Sequence, residues 1–320
     1  MGKIKRQWFL LGLVLISMAV IFDRSDTLAE FGIILKNNHG PEVMIFLIFV
    51  ISGLLIESDQ IRAGIIDIKS TLLALGVIII AAPVAAGLLC LFRLERGVAI
   101  GLFIVAAMPT TLSSGVVMTK EAGGNMAHAL FVTILSNFIS IFTIPVVLSM
   151  LVSLPGLENE LVIDKTRIMI KLSLLVVLPL LVGMGLKARI CNAGFLGKLK
   201  LQTVNQWLIL GIVFISLAGA KQALLENGTA FFHIIGLVSV FHLMLLGVSF
   251  LLVKVFGVGK GRYESVIFMG SQKTLPLSVM IQTAYFNEFG IALLVCVIHH
   301  IVHLMIDGYL SAKMNNSLSS

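Results

Sequence analysis

The chain has 320 residues, 58% of them hydrophobic and only 12% charged, with a formal charge of +7 and a mean hydropathy of +1.06. A soluble domain carries roughly 25% charged residues, so this chain has too few polar groups to face water, and lipid is the solvent it fits. Its basic residues stand singly between apolar segments, without Lys/Arg runs, which sets nucleic acid aside; three solitary cysteines (Cys90, Cys191, Cys296) give no disulfide or zinc framework.

A hydrocarbon core of about 30 Å takes roughly 20 apolar residues as helix. In chain order the spans expected are 8–22, 42–57, 69–92, 97–120, 126–152, 166–187, 204–224, 231–256, 262–286 and 288–312. Lys3, Lys5 and Arg6 before Trp8–Phe22 resemble a signal peptide. No small-x-small site follows, however, and the segment runs into Asp23-Arg24-Ser25-Asp26, so it is expected to stay as the first span. Residues 27–36 read as a small amphipathic or re-entrant piece. The expectation is an all-α polytopic membrane protein with ten transmembrane helices. With both termini in the cytoplasm, fourteen of the 23 Lys and Arg fall on the cytoplasmic side and seven opposite, while Lys171 and Lys273 lie inside spans. That bias follows the positive-inside rule. A bacterial inner (plasma) membrane is the expected location, with 314–320 as a cytoplasmic tail.

The polar stretch 153–165 divides the chain into five spans in 1–152 and five in 166–313. An odd number per half places the halves in opposite orientation. The fourth span carries Pro109-Thr110-Thr111-Leu112-Ser113-Ser114, and the ninth Gln272-Lys273-Thr274-Leu275-Pro276-Leu277-Ser278. The two Thr-Leu pairs are 163 residues apart, and Asn125 and Asn287, 162 apart, each open the next span. An unwound stretch at bilayer depth persists only where it faces protein or a wet cavity. Paired interruptions in two halves point to a transporter's midplane site. Half-helix N-termini offer N–H groups and positive dipole ends to an anion, and freed carbonyls and hydroxyls suit a small cation. A plain proline kink repaired locally by Ser and Thr is the alternative.

Met108-Pro109-Thr110-Thr111-Leu112-Ser113-Ser114 and Thr119-Lys120-Glu121-Ala122-Gly123-Gly124-Asn125 resemble the fourth helix of the bile acid:sodium symporter superfamily. Phe268-Met269-Gly270-Ser271-Gln272-Lys273-Thr274-Leu275 is similar to the ninth-helix signature of its orphan SBF-like branch, which has bacterial and eukaryotic members. Ser52-Gly53-Leu54 also fits, as do His300 and His303, where the branch often shows His-x-x-Gln. The resemblance covers nearly the whole chain. It implies two inverted five-helix repeats with broken, crossing helices 4 and 9. A panel domain would be formed by spans within 8–57 and 166–224, and a core domain by spans within 69–152 and 231–312.

Sodium-coupled members place a glutamate and a glutamine four apart in the ninth helix, and both sodium sites use the glutamate. Here its position is Phe268, Gln272 is retained, and Lys273 follows. A family asparagine is Gly115; Thr133 matches a sodium-ligating threonine, and a serine one turn earlier is Ala129. A lysine about 6 Å from a sodium, at an effective dielectric near 20, costs roughly 3 kcal/mol, about a hundredfold in affinity. Conventional two-sodium coupling is therefore not expected.

The expected crossover site, for substrate or ion, is Thr110, Thr111, Ser113, Ser114, Thr133, Ser271, Gln272, Lys273 and Thr274. Lys273, a charge in mid-span, either stands in for sodium among freed carbonyls and hydroxyls, with proton coupling, or binds an anionic substrate directly. In the last span His299, His303 and Asp307 share a helical face, with His300 beside them. They read as a proton path or substrate-facing stripe, as structural hydrogen bonding, or as a metal pair lacking a third ligand. His128, His233 and His242 stand alone and carry no signal. Catalytic motifs are absent, so neither an enzyme nor a cofactor is expected. The reading is a secondary active transporter of a small, anionic organic solute, in contact with membrane lipid and coupled to H+ or to a weakly held Na+. A sodium-coupled, bile acid-like symporter and a non-transporting membrane regulator are the alternatives. Substrate identity and oligomeric state are not legible.

Overall fold

The computed structural model describes residues 2–56, 67–111, 113–152, 163–190, 201–226 and 228–316. Cys191, Leu112, most of the divide at 153–165 and the end of the tail lie outside them. Among the described residues every regular element is helical. The N-terminal part holds α1 Gly2–Phe22, α2 Thr27–Asn37, α3 Gly40–Leu55, α4 Ile68–Cys90, α5 Arg96–Ala107, α6 Ser114–Glu121 and α7 Met126–Val152. Then α8 runs from Lys165–Leu172 through a π turn at Ser173–Val177 to Leu178–Ile190. The rest is α9 Leu201–Glu226, α10 Gly228–Val255, α11 Tyr263–Ser271, α12 Leu275–Tyr285 and α13 Gly290–Asn316.

Among the described residues six of these helices (α4, α7, α8, α9, α10, α13) are long and apolar enough to cross a membrane, and α2 with α3 forms a pair bent by 70° that has the length and apolarity of one broken span or of a re-entrant loop. This alters the sequence reading. The segment at 42–57 is one arm of a bent pair, because α3 has 16 residues and rises only about 24 Å at 1.5 Å per residue. Residues 27–36 form the other arm. The bend falls at His39, whose φ of 59° is left-handed. Large apolar side chains such as Phe22, Phe92 and Phe232 point outward, which suits lipid and not water. The chain is an integral multi-pass membrane protein.

The stretches expected at 97–120 and 262–286 are each two helices on either side of an extended break. Met108 leaves α5 at φ −73°, ψ 148°, as the residue before a proline must. Gln272 leaves α11 at φ −74°, ψ 148°. Pro276 sits in the first turn of α12, where a missing N–H costs nothing.

Polar contacts sort the loops into two ends. At one, Lys221 Nζ donates to Asp26 Oδ1 at 2.6 Å, Lys36 to Asn287 at 3.0 Å and Lys171 to Glu42 at 3.3 Å, and Arg96 stacks on Phe289. At the other, Lys69 donates to Phe256 O, Lys187 to Ile56 O and the Asn125 N–H to Gly261 O, and Arg262 pairs with Asp67. The two asparagines expected to open spans differ. Asn125 Oδ1 accepts from the N–H groups of Ala127 and His128 and caps α7. Asn287 instead takes the Lys36 ammonium, since α13 begins only at Gly290.

Two groups of helices pack internally: α1, α2, α3, α8 and α9 in one, and α4–α7 with α10–α13 in the other; α9 on α13, α8 on α7 and α12 on α3 join them. The tightest joint is α3 on α8. A Cβ at Gly53 would lie 2.2 Å from Leu180 O, and one at Gly183 2.1 Å from Val50 O, the small-residue approach that membrane helices use in place of a hydrophobic drive. Gly53→Val should therefore lower the melting temperature of the detergent-purified protein, at the overpacking scale of about 1–3 kcal/mol. Gly185→Ala, whose Cβ would meet nothing within 4 Å, should melt like the parent.

Candidate functional site

The two breaks touch: the Thr274 N–H donates to Pro109 O at 3.0 Å. Prolines decide what else is there. In α4 the Ala82 N–H, which an α-helix would direct to Ile78 O, goes to Val77 O in a π turn at Val77–Ala81. The π-type donor to Ile78 O would then be residue 83, a proline without an N–H. Ile78 O is left without a helical partner. Ala106 O and Met108 O lie at the end of α5, where Pro109 stops the ladder and C-terminal carbonyls have no donor ahead. Lys273 Nζ reaches all three, at 2.9 Å (Ile78), 3.2 Å (Ala106) and 3.0 Å (Met108). An ammonium has three N–H bonds, so each is used, and the side chain is 1% exposed. None is left to hold a solute.

Beside it, Gln272 Oε1 accepts from Thr111 Oγ1 at 2.7 Å and from Ser114 Oγ at 2.9 Å. Its Nε2 donates to Asp307 Oδ2 at 2.8 Å and meets Met118 Sδ at 3.0 Å. Gly115 makes this arrangement fit: a Cβ there would sit 2.8 Å from Met269 Sδ and 3.1 Å from Gln272 Oε1. Thr133 reaches back to Ala129 O and, at 3.4 Å, to Thr111 O. Ser271 bonds only its own helix at Ile267 O, and the buried Thr110 hydroxyl has no partner among the described residues. Phe268 is wholly buried.

A cavity of about 350 Å³, its mouth included, opens between the two helix groups. Thr111, Ser113 and Ser114 at the start of α6, Thr274 and Pro276 at the start of α12, and His300 form its polar side. Phe9, Ile48 and Ile209 form an apolar side, with Asn205. Two helix N-termini thus face one space. A second, smaller cavity of about 230 Å³ lies behind the crossover among α4, α5 and α7, with Ser136, Ser140 and Thr143 in its wall.

The tenth-span residues come together with one that sequence reasoning passed over. His242 Nε2 lies 2.8 Å from Asp307 Oδ1, both fully buried. His303 Nε2 is 2.9 Å from His300 Nδ1, and His303 Nδ1 is 3.9 Å from Asp307 Oδ2. His299 packs on Phe241, His242 and His303 through ring faces and edges, and its Nε2 has no partner. His128 also acquires a place, between Thr71 Oγ1 and Ser265 Oγ. Both histidines were illegible because their partners lie 57 or more positions away. Among the described residues no three His, Cys, Asp or Glu side chains are placed to hold a metal ion.

Residues 7–316 match the SBF-like CPA transporter family. The chain belongs to that family. It is 31% identical over 278 residues to an Arabidopsis thaliana protein named a probable chloroplastic sodium/metabolite cotransporter, covering 82% of this chain and 63% of that one. A sodium/bile acid cotransporter of Xenopus laevis is 28% identical over 57% of the chain and 52% of its own, and a Saccharomyces cerevisiae solute carrier 26% over 68% and 54%. The chain spans between half and two thirds of these relatives' lengths.

The carbonyl cage makes Lys273 the residue to test. Lys273→Met removes every donor and leaves three buried acceptors, at about 1–3 kcal/mol each. Its melting temperature should fall steeply, and that of Lys273→Arg, which keeps charge and donors, should fall less. Wild-type melting in both variants would mean that the ammonium does not hold the breaks together.

Proposed function

We propose that this protein is a secondary active transporter of a small organic anion, working by alternating access. The meeting of two half-helix N-termini at one cavity carries the reading: α6 and α12 both begin at it, with their positive dipole ends towards it. The anion preference rests on these termini, since the Lys273 ammonium is occupied elsewhere. Ten spans follow if α1, α5 with α6, and α11 with α12 each cross once, and the polar contacts at the two ends agree with strict alternation. The repeats are then 1–152 and 166–313, in inverted orientation. The matched dihedrals of Met108 and Gln272, at equivalent breaks, support their kinship. The group of α1–α3, α8 and α9 is the panel, and the remaining helices are the core that moves against it, with the cavity on the boundary.

Coupling is not of the conventional sodium type in this proposal. A fixed ammonium occupies the carbonyls freed by the breaks, and no carboxylate stands at position 268 to draw sodium in. The relatives named as sodium cotransporters favour the competing reading, a sodium-coupled symporter. Melting curves of the purified protein in sodium chloride and in choline chloride should superimpose. A saturable stabilisation specific to sodium overturns this part of the proposal. Transport itself is tested by uptake of a radiolabelled panel of small carboxylates into proteoliposomes, with neutral and cationic solutes as controls. Saturable uptake confined to anions is expected; none of any class would leave a membrane regulator as the better reading. Single-cysteine labelling near Gly2 and Ser320 should place both ends in the cytoplasm.

A further inference from the structure

The side chains behind the cavity form a closed circuit. Asp307, when ionised, only accepts hydrogen bonds, and this fixes the protons around it. His242 Nε2 must donate to Oδ1, and Gln272 Nε2 to Oδ2. His303 Nδ1 faces the carboxylate at 3.9 Å, beyond a hydrogen bond; with the ring proton placed there, His303 Nε2 accepts from His300 Nδ1–H at 2.9 Å. The remaining nitrogen, His300 Nε2, is then bare, has no partner among the described residues, and belongs to a residue that lines the cavity. At the other end of the circuit, Gln272 Oε1 holds the hydroxyl hydrogens of Thr111 and Ser114 turned inward. Both of those residues also line the cavity, so their two hydroxyls turn lone pairs and not hydrogens towards it.

We propose that Asp307 takes up a proton from the cavity through His300 and His303, and that the neutral acid turns the Gln272 amide over, so that Thr111 and Ser114 donate hydrogen bonds to an anion. This rests on the reading of the cavity as the solute site and adds the coupling to it. The steps balance. A proton adds to His300 Nε2 as the Nδ1 proton of His300 passes to His303 Nε2 and the Nδ1 proton of His303 passes to Asp307 Oδ2, once the rings close the 3.9 Å gap. Asp307 Oδ2–H is now a donor as well, and when its hydrogen turns from His303 Nδ1 to Gln272 it meets the Nε2 hydrogen there. The amide rotates so that Oε1 accepts from Asp307, and its two N–H bonds point at Thr111 Oγ1 and Ser114 Oγ. Each hydroxyl then accepts from the amide, and its own hydrogen is free to point into the cavity. One proton and one anion enter from the same side and together carry no net charge.

The groups around Asp307 are few. His242 reaches it from α10, His303 from its own helix with His299 and His300 a turn away, and Lys273 lies beyond Gln272 at the break. Glu121 on α6 meets α13 one turn on, at Ser311. Among the described side chains of α1, α5, α9 and α12, the titratable ones (Arg96, Lys221, Tyr285) stand at the far end of their helices.

The test is infrared difference spectroscopy of the full chain in lipid vesicles, between alkaline and mildly acidic buffer, with aspartate and glutamine side-chain carbonyls carrying distinct isotopic labels. A labelled carboxylic-acid band should grow on acidification together with a shift of the glutamine carbonyl band. Both should vanish in Asp307→Asn and persist in Asp67→Asn, and His300→Gln should delay both after a pH jump. An acid band that survives Asp307→Asn, or one that titrates without the glutamine shift, overturns the proposal. If Asp307→Asn does not fold, the wild-type pair of bands still decides, because absence of either one is a negative result. No solute is needed, so failure here leaves the transporter reading to stand or fall on uptake alone.

Discussion

Backbone carbonyls released inside a membrane protein must find donors, and at this depth water does not supply them. An unsatisfied group costs several kcal/mol in hydrocarbon. Pro83 and Pro109 release such carbonyls from two different helices, at Ile78, Ala106 and Met108, and a single ammonium collects them. A lysine at the centre of a membrane helix carries its own insertion cost, about 2.5–3.5 kcal/mol on translocon scales. Neither element is tolerable alone. Together they cancel, and one nitrogen atom joins α4, the end of α5 and the break between α11 and α12. The position of every other polar group at the crossover follows from that joint, beginning with Gln272, its chain neighbour.

A tethered ammonium differs from a bound cation in one consequential way: it does not leave. A sodium held by these carbonyls would stabilise the breaks only while bound, and its release could drive a change of state. Lys273 is tethered to the chain that it holds, so the proposed transport cycle assigns its coupling to another group. The adjoining group that can change charge without breaking the cage is Asp307, which touches the crossover only through Gln272. In the proposed scheme structural and coupling roles, which a single cation could combine, are divided between two side chains of opposite sign.

Much of this was legible in the residues. Proline with clustered Ser and Thr in two apolar segments marked both breaks, and a lysine among them marked the joint. The π turn in α4 was not legible, because a proline fifteen residues into an apolar run reads as an ordinary kink; only the diversion of the Ala82 N–H to Val77 O exposes Ile78. His242 was passed over because a single histidine 65 positions from Asp307 has no local pattern to betray its partner. The bend at His39 was missed for a different reason: hydropathy records which residues are apolar and is blind to one left-handed residue between two short helices.

Three departures from the sodium-coupled pattern, Phe268, Gly115 and Lys273, are one rearrangement and not three. Under the proposed function Lys273 stands in for a bound cation and leaves no use for a carboxylate at 268, where a fully buried phenyl packs in the apolar core. The Gln272 carbonyl, no longer directed at an ion, turns to Thr111 and Ser114, and it can lie there only because residue 115 has no side chain. An asparagine restored at 115 would drive into Met269 Sδ and Gln272 Oε1 and break the link to Asp307 while the ammonium stayed in place. A glutamate restored at 268 would bury a carboxylate among apolar neighbours with the Lys273 N–H groups already taken. Residue 115 abuts Gln272, the chain neighbour of Lys273, so substitutions at 115 and 273 should be non-additive.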